Sequence, residues 1–362
     1  MNQKKFHLSL ILTNQCNLNC IYCYENNKVK KSMSFQIAKN IISKYLNCEQ
    51  YDEVEIDFFG GEPFLEFNLI KKICEWVWSQ KWKNKYIFFA TTNGVLVKDE
   101  IKEWLRIHKQ YFWVSLSLDG TRESHNLNRC NSFDNIDISF FKECWPTQTV
   151  KMTISKETVN KIYENIVYIH SLGFDITGTN FAEGIDWGND KYIDIVSKEL
   201  EKLCKYYIKN PNIKPVPLIN MAIHKCEDKK EIKHCGCGEH MAAYETDGTK
   251  YPCTFFTPMT FDDKTIEYIS KLDFNKQYDF IDYECYKNCY LEPVCNSCYG
   301  ANLLTNNKVN IRDKSKCSLM KVRAVYSATL KAHKLLENTE DSYENKLTAQ
   351  AINKINNLYN IK

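Results

Sequence analysis

The stretch "TNQCNLNCIYCYE", residues 13–25, places Cys16, Cys20 and Cys23 on one short segment. It directly follows "FHLSLILT" (6–13), an apolar run that predicts a β-strand. Three thiols cannot all pair as disulfides with one another. Clustered cysteines in a reducing compartment more often bind metal or carry out redox chemistry. The segment therefore predicts a metal centre on a loop at the end of a strand.

Composition narrows the class of protein. The chain has 362 residues, a formal net charge of +3 and 26% charged residues, which is not the pattern of a nucleic-acid binder or a disordered tail. No signal peptide is visible, and no apolar run approaches the roughly 18 residues that span a bilayer. We expect a cytoplasmic protein with neither a membrane nor a nucleic acid among its partners.

The 17 cysteines are unevenly placed. Besides the first three, a second group lies between residues 235 and 317. The remaining ones are scattered, and we interpret them as small buried hydrophobic residues: Cys48, Cys74, Cys130, Cys144, Cys204 and Cys226.

Short β-branched or aromatic runs alternate with segments of helical periodicity. The predicted strands are residues 6–13, 54–59, 86–92, 112–118, 149–155 and 174–180. The predicted helices between them include 34–46, 67–80 and 158–173, with a further helix at about 190–209. Six strand–helix units predict a parallel sheet covered by helices, with functional loops at the carboxyl ends of the strands. An incomplete barrel of six units fits better than a closed barrel of eight.

Three thiolates on one loop suit a cubane [4Fe–4S] cluster, because they hold three irons and leave the fourth open to a substrate. A structural zinc site usually has four protein ligands, and no fourth ligand is near. Zinc is the weaker interpretation.

The pattern Cys-x3-Cys-x-aromatic-Cys after the first strand resembles the radical S-adenosylmethionine (SAM) superfamily. Further motifs follow in the order that the family shows: "GGEP" (60–63), "TTNG" (91–94), "SLSLDG" (115–120) and "DGTRESHNLNR" (119–129). Alone, "GGEP" is equally well a tight turn, and Ser115 or His125 an ordinary polar residue. In series at successive strand ends, the motifs favour the family over residues 6–183.

The resemblance implies that an open iron binds SAM and that reductive cleavage of SAM gives a 5′-deoxyadenosyl radical. The backbone at Gly60 and Gly61, with Glu62, would receive the methionine amine, and Tyr22 would lie near the adenine. The residues that the resemblance assigns to SAM are Tyr22, Gly60, Gly61, Glu62, Pro63, Asn93, Ser115, Ser117, Asp119 and Arg129. No catalytic residue is assigned.

The second cysteine group matches the count of two further clusters, although two zinc ribbons would also need eight ligands. Its members are Cys235, Cys237, Cys253, Cys285, Cys289, Cys295, Cys298 and Cys317. "DGTKYPC" (247–253) and the later cysteines are similar to the SPASM extension of the family, except that the spacings run x3, x5, x2 instead of x2, x5, x3. The resemblance implies a distal cluster on Cys285, Cys289, Cys295 and Cys317, and a proximal one on Cys298, Cys253 and the Cys235/Cys237 pair. A proximal cluster with an open iron stays an alternative.

The predicted fold is therefore α/β: a partial (β/α)6 TIM-type barrel with a C-terminal cysteine-rich iron–sulfur (SPASM) domain. The expected boundaries are 1–185 for the radical SAM barrel, 186–234 for a helical bridge, 235–320 for the SPASM domain and 321–362 for a helical tail. The expected cofactors are SAM and three [4Fe–4S] clusters, one that binds SAM and two auxiliary.

The resemblance implies an oxidoreductase that modifies a ribosomally made peptide, forming a thioether or another crosslink; a Cys-containing precursor is one candidate substrate. The alternatives are an anaerobic sulfatase-maturing (formylglycine-generating) enzyme and a peptide epimerase. Sulfatase maturases carry an Asp base after the "YPC" cysteine, whereas this chain has Thr254, with Glu183 and Asp262 as substitutes for that base. A non-catalytic cluster scaffold is the hypothesis from another class.

The expected partners are the peptide and a flavodoxin- or ferredoxin-type reductant. The first barrel strand begins near Phe6, so no leader-binding module precedes it in this sequence. Either a separate protein binds the leader or the peptide binds this chain directly.

Overall fold

The structure is a computed structural model that describes residues 4–230, 233–337 and 342–359. The strands are β1 (Lys5–Thr13), β2 (Glu53–Gly60), β3 (Lys85–Thr92), β4 (Phe112–Leu116), β5 (Val150–Ile154), β6 (Ile176–Phe181), β7 (Met241–Tyr244) and β8 (Lys250–Tyr251). The first six lie within a few residues of the six predicted strands.

The α-helices alternate with the strands in the first half of the chain and dominate the second. They are α1 (Phe35–Leu46), α2 (Phe67–Trp78), α3 (Asp99–His108), α4 (Arg122–Asn128), α5 (Ile138–Cys144), α6 (Ile162–Ser171), α7 (Asp190–Lys209), α8 (Asp263–Ser270), α9 (Tyr283–Asn288), α10 (Tyr299–Asn306), α11 (Cys317–Glu337) and α12 (Tyr343–Leu358). In the described residues, no helix is both long and apolar enough to cross a membrane.

The chain divides into two compact units. The first comprises Met1–Leu118, Arg129–Val150 and Cys235–Lys276; the second comprises Asp119–Asn128, Lys151–His234 and Gln277–Lys362. These units do not test the predicted domain boundaries, which remain a prediction.

The first unit is built on a six-stranded sheet in the order β4-β3-β2-β1-β7-β8. Strands β1 to β4 are parallel neighbours, as the strand–helix alternation predicts. One face carries a stack of buried rings, with Phe58 centred 5.5 Å from Phe88 and 5.7 Å from Phe112. Because all four strands run the same way, the loops that follow them share one edge of the sheet.

Strand β7 is a feature that the sequence did not predict. "MAAY" has few β-branched residues, yet it pairs in parallel with β1, Leu8 opposite Ala242 and Leu10 opposite Tyr244. The segment from residue 235 therefore contributes to the sheet of the first unit, beyond holding cysteines. The small side chains of Ala242 and Ala243 are fully buried, which explains how a weak strand former is accommodated.

Helix α1 shows why the helical predictions succeed. Ser34 caps it by accepting a hydrogen bond from the Ile37 backbone N–H at 3.3 Å. The predicted apolar stripe, Ala38, Ile41, Ile42 and Tyr45, is buried.

In the second unit, β5 and β6 pair with each other, and α7, α11 and α12 pack together. Helix α6 ends before Gly173, whose positive φ of 82° permits the predicted stop. The α/β class with a parallel sheet and a cysteine-rich C-terminal part is thus confirmed.

Candidate functional site

The cysteine loop begins where β1 ends, and all three of its thiols are partly exposed. The loop turns back on itself, since the Cys23 N–H donates to the Cys20 carbonyl at 3.1 Å. The Leu18 N–H donates to the Cys16 sulfur at 3.4 Å. Burial raises the pKa of the Cys16 and Cys23 thiols, and the ammonium of Lys28 opposes that shift. The loop thus gathers thiols beside a cation that favours their ionised form.

The glycines of "GGEP" lie against the backbone at both ends of the cysteine loop. A Cβ on Gly60, where φ is 144°, would lie 2.3 Å from the Thr13 carbonyl oxygen. A Cβ on Gly61 would lie 2.3 Å from the Gln15 carbonyl oxygen and 2.9 Å from Cys16 Cβ. Pro63 is buried and opens the short 3₁₀ turn that follows. Glycine is required here because the backbone of the turn packs directly on the cysteine loop.

Glu62 is a buried strut between the ends of β2 and β3. Its Oε1 accepts from Thr92 Oγ1 at 2.8 Å and from the Phe64 N–H at 3.1 Å, and its Oε2 accepts from the Asn93 N–H at 2.8 Å. Burial raises the pKa of this carboxyl to about 7, against the lowering effect of these hydrogen bonds and of Arg129. The side chain positions the loops, and its assignment to the SAM amine stays a prediction.

We expect the Glu62→Gln variant of the metal-free protein to unfold with a free energy about 1–3 kcal/mol lower near pH 7, because a Gln amide presents N–H groups to donors. Since the folded-state pKa lies above the unfolded value of 4.5, the wild-type carboxyl destabilises the fold as pH rises from about 4.5 to about 7. The wild-type advantage should therefore shrink by up to about 3 kcal/mol over that range. Urea unfolding of both proteins at several pH values measures the difference, and a pH-independent difference would contradict it.

Asn93 joins the third strand's loop to the cysteine loop. Its Nδ2 donates to Asn17 Oδ1 at 2.8 Å, and its Oδ1 accepts from the Val95 N–H at 3.1 Å. Asn17 was not predicted as a site residue, although it lies inside the cysteine motif. The side-chain pair fixes the spacing between two loops that are far apart in sequence.

The aromatic residue of the motif, Tyr22, lies beneath a cation. The Arg129 guanidinium carbon is 5.5 Å from the centre of the Tyr22 ring, within the range of a cation–π contact. Arg129 is largely buried, so this contact orients the ring instead of leaving it free in solvent. The structure thus brings Tyr22 and Arg129 together, as expected if both serve one site.

Ser115 and Ser117 lie at the end of β4. Ser115 Oγ donates to the Thr149 carbonyl at 2.7 Å, and the Ser117 N–H donates to the Thr92 carbonyl at 2.9 Å. Their predicted contacts to the ribose remain untested.

Asp119 belongs to the second unit and is fully buried there. Its carboxylate accepts from the Thr153 N–H at 3.0 Å and from Asn128 Nδ2 at 3.2 Å. Buried His125 lies next to it, its Nδ1 accepting from the Asp119 N–H at 3.4 Å. Asp119 therefore holds the chain that enters β5, a role that the "LDG" motif does not reveal.

The second cysteine group is divided between the units. Cys235, Cys237 and Cys253 lie in the first unit, where Cys237 is buried and the other two are partly exposed. In the second unit, five cysteines line one cavity of about 520 Å³: Cys285, Cys289, Cys295, Cys298 and Cys317. The four residues that the resemblance assigns to a distal cluster are all in this cavity.

Cationic side chains also line this cavity, and the sequence did not single them out. Lys314 Nζ lies 3.0 Å from Cys285 Sγ. Arg312 hydrogen-bonds the Cys295 thiol and makes an ion pair with the buried Glu292. Burial raises the pKa of the Cys295 thiol, and Arg312 opposes that effect.

The donor sets fit iron–sulfur clusters in their chemistry. Several thiols converge on one loop in the first unit and on one cavity in the second, with cations beside each, and soft thiolate sulfur is the usual ligand of such clusters. Among the described residues, no three His, Cys, Asp or Glu side chains are arranged to hold a single metal ion.

Comparison with known proteins identifies the family. The model of the radical SAM superfamily matches residues 10–186. An uncharacterized protein of Methanocaldococcus jannaschii is 34% identical over 223 residues, which cover 58% of this chain and 76% of that protein.

Two further relatives have printed activities. A cysteine-type anaerobic sulfatase-maturating enzyme of Clostridium novyi is 24% identical over 85% of this chain and 91% of its own. The antilisterial bacteriocin subtilosin biosynthesis protein AlbA of Bacillus subtilis is 24% identical over 69% of this chain and 55% of its own.

A solved structure shares the fold over nearly the whole chain. Native anSMEcpe with bound AdoMet and the Kp18Cys peptide superposes with a TM-score of 0.71 at 19% identity, covering 98% of this chain and 100% of that one. The chain therefore belongs to the radical SAM superfamily, and it is an enzyme that uses S-adenosylmethionine and a [4Fe–4S] cluster for radical chemistry.

Proposed function

We propose that this enzyme matures a ribosomally made peptide, joining a cysteine sulfur to a carbon in a thioether or forming another crosslink. The observation that carries the proposal is the cavity in which five cysteines converge, apart from the three on the loop after β1. A crosslink removes two hydrogens from the peptide, and thus two electrons. SAM and its cluster, when bound, supply the radical that takes the first hydrogen, and auxiliary clusters are a place for the second electron.

The residues around the cysteine loop would provide the positioning that such chemistry needs. Cys16, Cys20 and Cys23 would hold the SAM-binding cluster, and Gly60 and Gly61 would let the backbone approach it. Glu62 and Asn93 hold the neighbouring loops at fixed hydrogen-bond distances. A rigid, largely enclosed site keeps a reactive radical away from water.

In the second unit, Cys285, Cys289, Cys295 and Cys317 would hold a distal auxiliary cluster. The remaining proposed ligands, for a proximal cluster, are Cys235, Cys237, Cys253 and Cys298. A reductant of the flavodoxin or ferredoxin type would supply the electron for SAM cleavage. A separate leader-binding protein belongs to the same proposal.

A peptide substrate is supported by the relatives, since AlbA takes part in the biosynthesis of a bacteriocin. Sulfatase maturation is the second candidate, because a cysteine-type sulfatase-maturating enzyme matches this chain along most of its length. Two positions bear on the choice. Thr254 replaces the expected Asp, and Asp262 caps α8 by accepting from the Thr265 N–H at 2.9 Å.

Glu183 is the other carboxylate that might have replaced the missing base in a sulfatase maturase, and it pairs with Lys316 in the cysteine cavity. Both substitute carboxylates thus already have partners in the described structure. This favours a reaction that does not depend on a carboxylate base at the "YPC" element.

The test is an anaerobic reaction of the reconstituted enzyme with SAM, dithionite and one of two peptides. One peptide is the product of a short Cys-containing reading frame beside the gene, and the other carries a sulfatase active-site segment. We expect the first peptide to lose two hydrogens and its reactive thiol, with 5′-deoxyadenosine formed. Loss of sulfur with a new aldehyde in the second peptide would establish sulfatase maturation instead. An unchanged mass with uptake of solvent deuterium would indicate epimerisation, and absence of 5′-deoxyadenosine would reject the radical enzyme.

A further inference from the structure

The cysteine cavity of the second unit carries two cations that are directed at its sulfur atoms. The inference below rests on the proposed function, in that this cavity holds an auxiliary cluster. Arg312 and Lys314 line the cavity, and each hydrogen-bonds a different thiol, Cys295 and Cys285 respectively. Neither residue is needed as a cluster ligand.

Arg312 is held rigidly from behind. Its side chain is 7% exposed, and its Nη2 donates to Glu292 Oε1 at 2.5 Å, while its Nη1 donates to the Glu292 carbonyl at 3.1 Å. His234 Nε2 lies 2.6 Å from the same Nη2. Such a guanidinium cannot turn toward solvent, so its remaining donors stay directed at Cys295.

Lys314 reaches its thiol from a more exposed position. Its Nζ is 3.0 Å from Cys285 Sγ and 3.6 Å from both Asp282 Oδ2 and Glu284 Oε2. Asp282 also accepts from the Cys285 N–H at 3.1 Å and from the Arg312 N–H at 3.0 Å. One buried carboxylate therefore fixes the backbone of a thiol and that of a cation together.

The direction of the effect on a cluster follows from charge. A cluster held by four thiolates becomes more negative when it is reduced. N–H donors and positive ends of dipoles at its sulfurs stabilise that reduced form more than the oxidised form, which raises the reduction potential. Glu292 offsets the net charge of Arg312, but the ion pair keeps its positive end toward Cys295, and the interior strengthens that interaction.

We propose that Arg312 and Lys314 raise the reduction potential of an auxiliary cluster in this cavity, so that the cluster accepts an electron during peptide oxidation. In balance, the peptide radical loses one electron to the oxidised cluster, and the reacting thiol loses its proton to solvent as the sulfur–carbon bond forms. Arg312 and Lys314 act as positioning residues through the thiolates and do not touch the peptide.

The experiment is an EPR-monitored redox titration of the full chain in which Cys16, Cys20 and Cys23 are alanine, so that only auxiliary clusters give a signal. Lys314→Gln is compared with Lys314→Arg, which keeps the charge. Lys316→Gln is the matched control, because Lys316 lines the same cavity but pairs with Glu183. Arg312→Gln and Arg312→Lys form the second pair.

At a fixed potential we expect Lys314→Gln to lower the ratio of reduced to oxidised cluster about tenfold, equivalent to a midpoint about 59 mV lower for one electron. Lys314→Arg and Lys316→Gln should stay close to the parent protein. Equal midpoints for Lys314→Gln and the parent would overturn the inference and leave the auxiliary cluster in place. A parent without any auxiliary-cluster signal would overturn both the inference and this part of the proposed function. If Arg312→Gln does not assemble a cluster, the Lys314 variants still decide.

Discussion

Replacing Cys16 with alanine is expected to reduce the formation of 5′-deoxyadenosine from SAM to the level of a reaction without enzyme. Two thiolates, Cys20 and Cys23, would remain on the loop, and two ligands hold a cubane cluster poorly. The iron content of anaerobically reconstituted protein should fall by about four per chain, from about twelve. Iron analysis and chromatography of the nucleoside after addition of SAM and dithionite measure both effects.

The control for this experiment is Cys48→Ala. Cys48 is also partly exposed and lies in the first unit, but it follows α1 and is among the scattered cysteines. We expect it to retain full iron and full SAM cleavage. Cleavage that persists in Cys16→Ala would mean that these three thiols do not hold the SAM-binding cluster, and a wild-type protein with about four irons would remove the auxiliary clusters from the proposal.

The strands and the first cysteine loop were predictable because their signals are local. Short runs such as residues 6–13 and 86–92 combine aromatic and β-branched residues, and turn residues end them, so composition alone places them within a residue or two. The three thiols announce themselves by spacing. The likeness of the "GGEP" turn to a known motif is local in the same way.

The residues that were missed act across long sequence separations. Asn17 and Asn93 join two loops, and nothing in either segment identifies the other as its partner. Strand β7 exists because β1 offers it an edge, against its own weak propensity. Arg312 and Lys314 look like ordinary polar residues between two cysteines, and only the folded chain shows that they meet Cys295 and Cys285.

Glu62 illustrates a different limit. The motif correctly singles out the residue, but its side chain is occupied by three hydrogen bonds from Phe64, Thr92 and Asn93. A motif records which residue is used and leaves open whether the side chain or the backbone does the work. Here the described contacts favour the backbone of the turn as the part that faces a ligand.

The Gly61→Ala variant should therefore damage the site through the backbone. The added Cβ would lie 2.3 Å from the Gln15 carbonyl oxygen and 2.9 Å from Cys16 Cβ, distances that force the turn and the cysteine loop apart. Overpacking of this kind typically costs about 1–3 kcal/mol in the free energy of unfolding. Because the displaced atoms include the Cβ of a proposed cluster ligand, SAM cleavage should fall far more than stability, toward the background rate.

Urea unfolding of the metal-free protein and 5′-deoxyadenosine formation by the reconstituted enzyme separate these two effects. Gly178→Ala is the matched control, because a Cβ there meets nothing closer than Lys151 Cγ at 3.4 Å, an ordinary contact. We expect Gly178→Ala to keep its SAM cleavage, whereas Gly61→Ala loses it at a denaturant-free temperature where the chain is still folded. A folded Gly61→Ala enzyme with normal cleavage would show that the turn can move away from Cys16 without cost, and that the close approach of the two backbones is not what positions the cluster.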